Sequence, residues 1–311
     1  SGTPGAPGTA QTGSIPGAPA IQAAPGASRD AALRQSPRVP VNGPRLGGSI
    51  ALKGGRIDDL TMLDYKATID EGSPAVTLFS PQGAPQPYFG QFGWVPIGEL
   101  KVPDSDTVWQ ADHPSVQPAR PLTLSWDNGQ GVRFIQVVEI DDNFMMTGTQ
   151  RVENNSTQAI STHPYGRIAR THTPNTLGFY ILHEGPLAVF NETLKEVDYD
   201  DLQEGPADAT KSTGGWIGIT DKYWLTALIP EQKTPYAGSF RYSQPNKQDT
   251  YQADFMLQAP QVIAPGATAR AISHFFAGAK EVHLLDKYEE QLGIARFDLA
   301  VDFGWVYFLT K

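Results

Sequence analysis

The sequence predicts a large, mainly β domain of the sandwich type, with one amphipathic helix close to its C-terminal end. Turn signals separate short apolar runs at intervals of about 8–12 residues, which is the usual spacing of strands in a β sandwich. The 311 residues include 31 Gly and 26 Pro, and 40% of them are hydrophobic. The chain therefore has both the turns and the apolar side chains that a many-stranded core requires.

Composition divides the chain into three parts. Residues 1–43 are rich in Gly, Ala and Pro and poor in large apolar side chains, which predicts a flexible tether. Residues 44–296 carry the strand and helix patterns and form the predicted β domain. Residues 297–311 are dense in aromatic side chains and form a separate C-terminal segment.

Two hairpins are the clearest local signals in the β domain. Gly54-Gly55 and a turn rich in Gly and Asn at 127–131 each separate two runs of strand-like residues. The flanking runs are 49–53 and 56–65 for the first hairpin, and 122–126 and 132–140 for the second. Further strands are predicted at 144–152, 176–182, 216–221, 223–229, 238–242, 250–258 and 268–278.

A helix is predicted over 279–292. Its apolar residues are spaced three, three and four apart, and charged residues fill the other faces. Gly293 follows as a stop signal. The predicted apolar face, which we expect to dock on the β body, consists of Val282, Leu285, Tyr288 and Leu292.

The C-terminal segment alternates apolar and other residues from Phe297 to Leu309, and this periodicity favours a strand. Its aromatic content is also typical of a chain that approaches a membrane interface. Gly304 can bend the backbone between two parts of the segment. We expect 297–301 to pack on the folded domain and 304–311 to belong to the interface.

Charge and composition exclude several functions. The formal net charge is −9 and no long run of Lys or Arg occurs, which argues against a nucleic-acid partner. The absence of Cys excludes disulfides, thiolate zinc sites and cysteine nucleophiles. No apolar stretch of about 18 residues could span a bilayer, and the N-terminal residues lack the pattern of a signal peptide.

No motif for catalysis, a cofactor or a metal is present, so we predict that the chain is not an enzyme. The six His residues have no tight ligand spacing. The acidic clusters at 141–142 and 198–201 lack the pattern of a calcium loop and favour solvated turns. The aromatic run 223–225 is better explained by core packing than by a ligand cleft.

Three blocks are specific enough to suggest a family. They are 42–46 with the Gly54-Gly55 hairpin, the aromatic-rich run 214–230, and the C-terminal run 297–311. In content, order and spacing they resemble the large periplasmic domain of YidC-type membrane protein insertases. The resemblance implies a β-supersandwich similar to the galactose mutarotase fold, with helical structure near the C-terminal end.

The same resemblance implies a function for the intact protein. Members of the family insert and fold proteins of the bacterial inner membrane, alone or with the Sec translocon. This domain would lie on the periplasmic side, with an auxiliary role as an interaction module or chaperone. The implied partners are SecDF and SecYEG components and nascent membrane proteins. A block similar to 297–311 leads, in the family, into a transmembrane helix.

Two groups of residues are candidates for such a role. Trp305, Tyr307 and Phe308 are expected at the membrane interface. The residues expected to couple the domain to the membrane part are Leu285, Tyr288, Leu292, Phe297, Leu299 and Phe303.

The alternative is a periplasmic carbohydrate-binding or mutarotase-like module. Mutarotation requires a positioned acid and base. His183 and Glu184 are adjacent, so on a strand they would face opposite sides of the sheet. The sequence therefore favours the insertase interpretation.

Overall fold

The computed structural model describes residue 15 and residues 28–174, 183–205 and 208–301. The strands of this part of the chain are β1 (Arg38–Asn42), β2 (Leu46–Ala51), β3 (Arg56–Lys66), β4 (Ala75–Thr77), β5 (Tyr88–Ile97), β6 (Gln110–Ala111), β7 (Leu122–Asp127), β8 (Val132–Ile140), β9 (Met145–Asn154), β10 (Ile160–Thr171), β11 (Gly185–Phe190), β12 (Thr193–Glu196), β13 (Thr210–Thr213), β14 (Gly215–Thr220), β15 (Trp224–Pro230), β16 (Pro235–Ser243), β17 (Thr250–Leu257), β18 (Gln261–Ile263) and β19 (Thr268–Ala279). The helices are α1 (Arg29–Leu33), α2 (Tyr199–Glu204) and α3 (Val282–Leu292), with 3-10 turns at Pro245–Lys247 and Phe297–Ala300.

These strands form two antiparallel sheets, which confirms the predicted mainly β architecture. In the first sheet the order is β1-β2-β3-β5-β10-β17-β16-β13, with β4 on β3 and β18 on β10. In the second sheet the order is β12-β11-β14-β15-β19-β9-β8-β7-β6. None of the helices in the described residues has the length and apolarity needed to cross a membrane.

The core lies between the two sheets. The ring of Phe275 from β19 meets the ring of Phe92 from β5 with centroids 6.2 Å apart. Gly90 makes this close approach possible, because a Cβ there would lie 2.4 Å from Cζ of Phe275. Buried Gln136 and Gln150 of the second sheet donate hydrogen bonds to backbone oxygens of β5, at 3.1 and 2.6 Å. Apolar packing and satisfied polar groups thus join the sheets.

Both predicted hairpins are present. Gly54 and Gly55 have φ angles of 77° and 60° between β2 and β3, a conformation that L side chains rarely adopt. Gly129 and Gly131, with φ of 74° and 80°, lie between β7 and β8. The strands predicted beyond these hairpins are found within a few residues of their expected bounds, except that the one predicted at 176–182 lies outside the described residues.

The predicted tether over 1–43 is wrong for its last part. β1 pairs with β2 from Arg38 opposite Ala51 to Asn42 opposite Gly47, and Val39 and Val41 are buried. The composition of 1–43 gives no sign of this strand, because the strand contains only two alternating apolar residues. An edge strand also tolerates a proline, because the N–H groups on its outer edge need no partner within the sheet.

A second part of the predicted tether is also ordered. Helix α1 begins after Ser28, whose hydroxyl accepts a hydrogen bond from the backbone N–H of Ala31. Arg29 of this helix forms an ion pair with Asp59 of β3. Ile15 is buried against Val95 and Tyr165. The folded domain therefore begins before residue 44.

Candidate functional site

Helix α3 connects β19 to the C-terminal segment. It starts at Val282, three residues later than predicted, because Ala279 still pairs with Trp224 at the end of β19. Gly293 ends it in the left-handed conformation, with φ of 64°, as its stop signal predicted.

The buried face of α3 differs from the predicted stripe. Leu285 and Tyr288 are buried as expected, and Leu284 joins them. Leu292, predicted to be part of the stripe, is 36% exposed. The chain turns at Gly293, and Ile294 is buried beyond the turn. The exposed position of Leu292 therefore follows from the helix ending there.

Tyr288 anchors α3 to the second sheet. Its ring meets that of Phe276 with centroids 6.0 Å apart, and its hydroxyl donates a hydrogen bond to Asp141. Burial, and then this hydrogen bond, hold the pKa of Tyr288 far above its usual range. Asp141 also accepts hydrogen bonds from the backbone N–H groups of Asn143 and Met145. The expectation of a merely solvated turn at 141–142 is thus wrong for Asp141.

The C-terminal segment begins as a 3-10 helix, not as the strand that its alternation favours. Phe297 and Ala300, three residues apart, are both buried, as the threefold period of a 3-10 helix requires. Leu299 and Val301 are partly buried against the same core. The expected packing of 297–301 on the domain is confirmed. Phe303, Trp305, Tyr307 and Phe308 lie outside the described residues.

Phe297 occupies the centre of this contact. Its ring stands edge-on to the rings of Trp216 and Phe276, with both centroid distances at 5.6 Å. The indole N–H of Trp216 donates to the backbone oxygen of Arg296 at 3.2 Å. The backbone N–H of Asp298 donates to Glu289 of α3 at 2.8 Å. The segment is therefore held by β14, β19 and α3 together.

An ion-pair cluster joins the start of the domain to the start of α3. Arg45 lies immediately before β2, and its two terminal nitrogens lie 3.1 and 2.5 Å from the two carboxylate oxygens of Glu281. Asp64 accepts a further hydrogen bond from Arg45, and the Tyr65 hydroxyl donates one to Glu281. The Arg45 guanidinium also lies 4.2 Å from the ring centroid of Phe144.

These contacts change the protonation of the cluster. The hydrogen bond from Arg45 holds the pKa of Glu281 below its usual value. Burial, followed by the hydrogen bond to Glu281, raises the pKa of Tyr65 to about 12. At neutral pH the cluster is therefore a salt bridge that fixes α3 against the first sheet. The block around Arg45 is recognisable in the sequence, but its partner, 236 residues away, has no local signature.

A stability measurement should reveal the contribution of this cluster. We expect Glu281→Gln to reduce the free energy of unfolding by about 1–2 kcal/mol at neutral pH, because a partly exposed charged acceptor is lost. Since the folded pKa is lowered, the effect should be complete above the usual pKa of 4.5 and should fade as pH drops through the folded value. Denaturant unfolding at several pH values provides the test.

Glu153→Gln is the matched control for that measurement. Glu153 pairs with Arg151 at 3.1 Å on the surface of β9. Its loss should change stability by less than about 1 kcal/mol. An equal effect of the two substitutions would show that the Arg45 cluster has no special role.

Two of the clefts on the surface of the domain bear on ligand binding. The first, of about 410 Å³, is lined by residues that include Tyr65, Tyr223, Trp224 and Val301. The expectation that the run 223–225 packs in the core holds for Leu225, which is fully buried, and for Trp224, which is partly buried against the core, but it is wrong for Tyr223, which is 58% exposed.

The second cleft, of about 630 Å³, is lined by residues that include Arg29, Tyr88, Arg170 and His172. Its described lining residues include no Asp or Glu. His172 shares a hydrogen bond with the backbone oxygen of Pro85 at 2.6 Å, and Arg170 binds Asp221 at 2.6 Å. These residues offer no acid–base pair for sugar chemistry.

His183 and Glu184 do not form such a pair either. They precede β11 and lie on no strand. The Nε2 atom of His183 shares a hydrogen bond with the backbone oxygen of Pro186, and Glu184 accepts one from the backbone N–H of Lys222. Within the described residues, no group of three or more His, Asp or Glu is placed to hold a metal ion.

The architecture defines the class of protein. It is a two-sheet β domain whose C-terminal helix and following segment are fixed to the body by a buried aromatic contact and by a salt-bridge cluster. The family model described as the YidC periplasmic domain matches residues 38–311. The chain belongs to this family, and the resemblance found in the sequence is confirmed.

Curated relatives agree with this assignment. A protein from Methylobacterium nodulans, named membrane protein insertase YidC, is 43% identical over 99% of this chain and 52% of its own length. Proteins of the same name from Methylobacterium radiotolerans and Rickettsia bellii are 45% and 42% identical, over 94% and 89% of this chain and 49% and 50% of their own lengths. The chain thus spans about half the length of these relatives. Their names describe membrane protein insertion and no enzymatic reaction.

Solved structures are more distant. A galactose mutarotase-related enzyme from Lactobacillus acidophilus has a TM-score of 0.49 and 8% identity, over 78% of this chain and 97% of its own. A galactose mutarotase-like protein from Lactobacillus casei has a TM-score of 0.49 and 10% identity, over 78% and 100%. A likeness at this level carries no information about chemistry.

Proposed function

We propose that this chain is the periplasmic part of a membrane protein insertase of the bacterial inner membrane, and that it acts as an auxiliary module and not as an enzyme. The observation that carries the proposal is the match of residues 38–311 to the family, together with 42–45% identity to proteins named for insertion. Because those relatives are about twice as long, insertion itself is assigned to the intact protein.

The contacts that fix α3 and the C-terminal segment to the β body support a mechanical role for the domain. Phe297 ties the C-terminal segment to the second sheet, and the Arg45–Glu281 pair ties the start of α3 to the first sheet. In the proposed orientation, residues 302–311 continue from Val301 to the periplasmic membrane surface. There the amphipathic rings of Trp305 and Tyr307, with Phe308, would lie at headgroup depth.

The proposal extends to the partners of the domain. In the proposal it contacts SecDF and SecYEG components and assists the periplasmic segments of nascent membrane proteins. The net charge of −9 supports protein partners over nucleic acid. The described lining of the larger cleft lacks a carboxylate, which disfavours the alternative of a mutarotase-like module.

Depletion of the full-length protein from its host provides the test. We expect newly made inner-membrane proteins to fail to insert, as measured by protease protection, and a plasmid copy of the full-length gene to restore insertion. A copy lacking residues 38–301 should restore only part of it, because the domain is auxiliary. Repeating the assay without SecDF should remove the additional benefit that the domain provides.

The control is the amount of each protein in the membrane. Variants are compared only at matched levels. Normal insertion after depletion would refute the insertase assignment. A shortened copy that works as well as the full-length gene, with and without SecDF, would refute the auxiliary role.

A further inference from the structure

The outward face of the first sheet is buried although it points away from the second sheet. Side chains alternate between the two faces of a strand. In β5 a Cβ at Gly90 would lie against Phe275 of the second sheet, so Gly90 is on the inner face. Phe89 and Gln91, on either side of it, therefore point outward, yet their exposed fractions are only 2% and 5%. A part of the molecule other than the second sheet therefore covers them.

The two neighbouring strands β10 and β17 show the same feature. In β10 a Cβ at Gly166 would meet the core residue Phe92, so Gly166 lies on the inner face. Tyr165 and Arg167 therefore point outward, and each is only 2% exposed. Asp254 of β17, in register with Arg167, is 1% exposed. Because the outward face of an antiparallel sheet is commonly hydrated, the burial of charged side chains here indicates a covering segment.

Ile15 identifies part of this cover. Its side chain is 1% exposed and forms a cluster with Val95 and Tyr165, separate from the main core, and Met256 packs against the cluster. Gly93 makes room for this arrangement, because a Cβ there would lie 2.6 Å from the ring of Tyr165. The outward face thus holds one apolar side chain of the N-terminal segment, residues 1–27.

The composition of the N-terminal segment suits it to such a surface. The segment contains no Asp, Glu, Lys or Arg, which would be costly to bury on the sheet, and its large aliphatic residues are Ile15 and Ile21. Its five prolines favour the extended polyproline II conformation, whose backbone N–H and C=O groups have no partners within the segment. Small side chains and available backbone groups match a sheet face that is partly polar.

The length of the chain allows the segment to follow the face from one end of β5 to the other. Arg29, at the start of α1, pairs with Asp59 of β3. The register between β3 and β5 places Asp59 near Tyr88, at the start of β5, whereas Val95 lies near the other end. The distance along β5 from Tyr88 to Val95 is roughly 23 Å. A polyproline II segment from Ile15 to Arg29 can reach roughly 43 Å.

We propose that the outward face of the first sheet, from Phe89 to Val95, is the binding surface for the N-terminal segment of the same chain, with Ile15 as the anchor. Residues 15–43 then move with the domain and do not act as a tether. The C-terminal segment packs on the outward face of the second sheet, through Phe297 and Phe276. Each sheet is thus covered by one end of the chain. The inference goes beyond the proposed function and does not depend on it.

The reactivity of an introduced thiol tests the proposal. The chain contains no Cys, so the single Cys of the Val95→Cys variant reports whether this face is covered. Its reaction with a maleimide should be slow in the folded 311-residue chain. Adding Ile15→Ser should accelerate the reaction roughly 10- to 100-fold, the factor that corresponds to burial of one isoleucine side chain. Met256→Cys provides a second probe if Val95→Cys does not fold.

Two controls accompany the measurement. Ile69→Ser makes the same substitution at an isoleucine that is fully exposed, and it should change the reaction rate less than about two-fold. Leu228→Cys places the thiol in the core between the sheets, where exposure requires global unfolding. In the Ile15→Ser background it should react at least about 100-fold more slowly than Val95→Cys, because only the outward face is uncovered.

Three results would overturn the inference. The first is a thiol at Val95 or Met256 that reacts in the folded chain as fast as in denaturant. The second is an effect of Ile15→Ser no larger than that of Ile69→Ser. The third is equal reaction of Val95→Cys and Leu228→Cys in the Ile15→Ser background, which would attribute the acceleration to global unfolding. Since the assay requires no insertion activity, its outcome is independent of the insertase assignment.

Discussion

Replacing Phe297 by alanine should lower the free energy of unfolding by about 3–5 kcal/mol. The side chain is fully buried, and its ring contacts Trp216 and Phe276 edge-on. Truncation would remove its apolar burial and leave a cavity between β14, β19 and α3. Such contacts between aromatic rings also contribute beyond their buried area. Chemical denaturation of the 311-residue chain measures the effect.

Phe297→Leu is the control for this prediction. Leucine retains most of the apolar volume, so we expect a loss of less than about 2 kcal/mol. A small effect of Phe297→Ala, below about 1 kcal/mol, would show that the C-terminal segment is not part of the cooperative core.

Leu285→Ala should lower the free energy of unfolding by about 2–5 kcal/mol. Leu285 is fully buried on the face of α3 that packs on the core. Leu292→Ala, on the same helix, provides a comparison with identical chemistry. Because Leu292 is 36% exposed, its truncation should change stability by less than about 1 kcal/mol. Similar effects at the two positions would mean that the helix is not docked as described.

The strands whose bounds agree best with the prediction are those that are flanked by clear turn residues. At Gly54-Gly55 and in the turn at 127–131 the backbone adopts positive φ angles that favour glycine. These turns can therefore be recognised from the local sequence. β5 and β11 are among the strands that were not predicted, because they lack an alternation of buried and exposed residues. In β5 the first eight residues are all buried, and in β11 all six are. A strand covered on both faces has no alternation to detect.

The site was predictable only for residues that belong to a local sequence pattern. Leu285, Tyr288 and Phe297 belong to helical or aromatic patterns that the sequence displays, and the structure buries all three. The Arg45–Glu281 pair has no local signature, because a salt bridge between distant residues depends on the complete fold. The 3-10 helix at Phe297–Ala300 was mistaken for a strand because Phe297, Leu299 and Val301 alternate, whereas burial follows a period of three.

The position of β19 has a consequence for the time at which the domain can fold. β19 is the last strand in the part of the chain that the structure describes, yet it lies between β15 and β9 in the middle of the second sheet. Until residues 268–279 emerge, the second sheet consists of two separate pieces, β6–β9 and the group of β11, β12, β14 and β15, and the edges that β19 will join are unpaired. Strand pairing across such sequence distances is slow. During synthesis the second sheet is therefore exposed to mispairing until residues 268–279 have appeared.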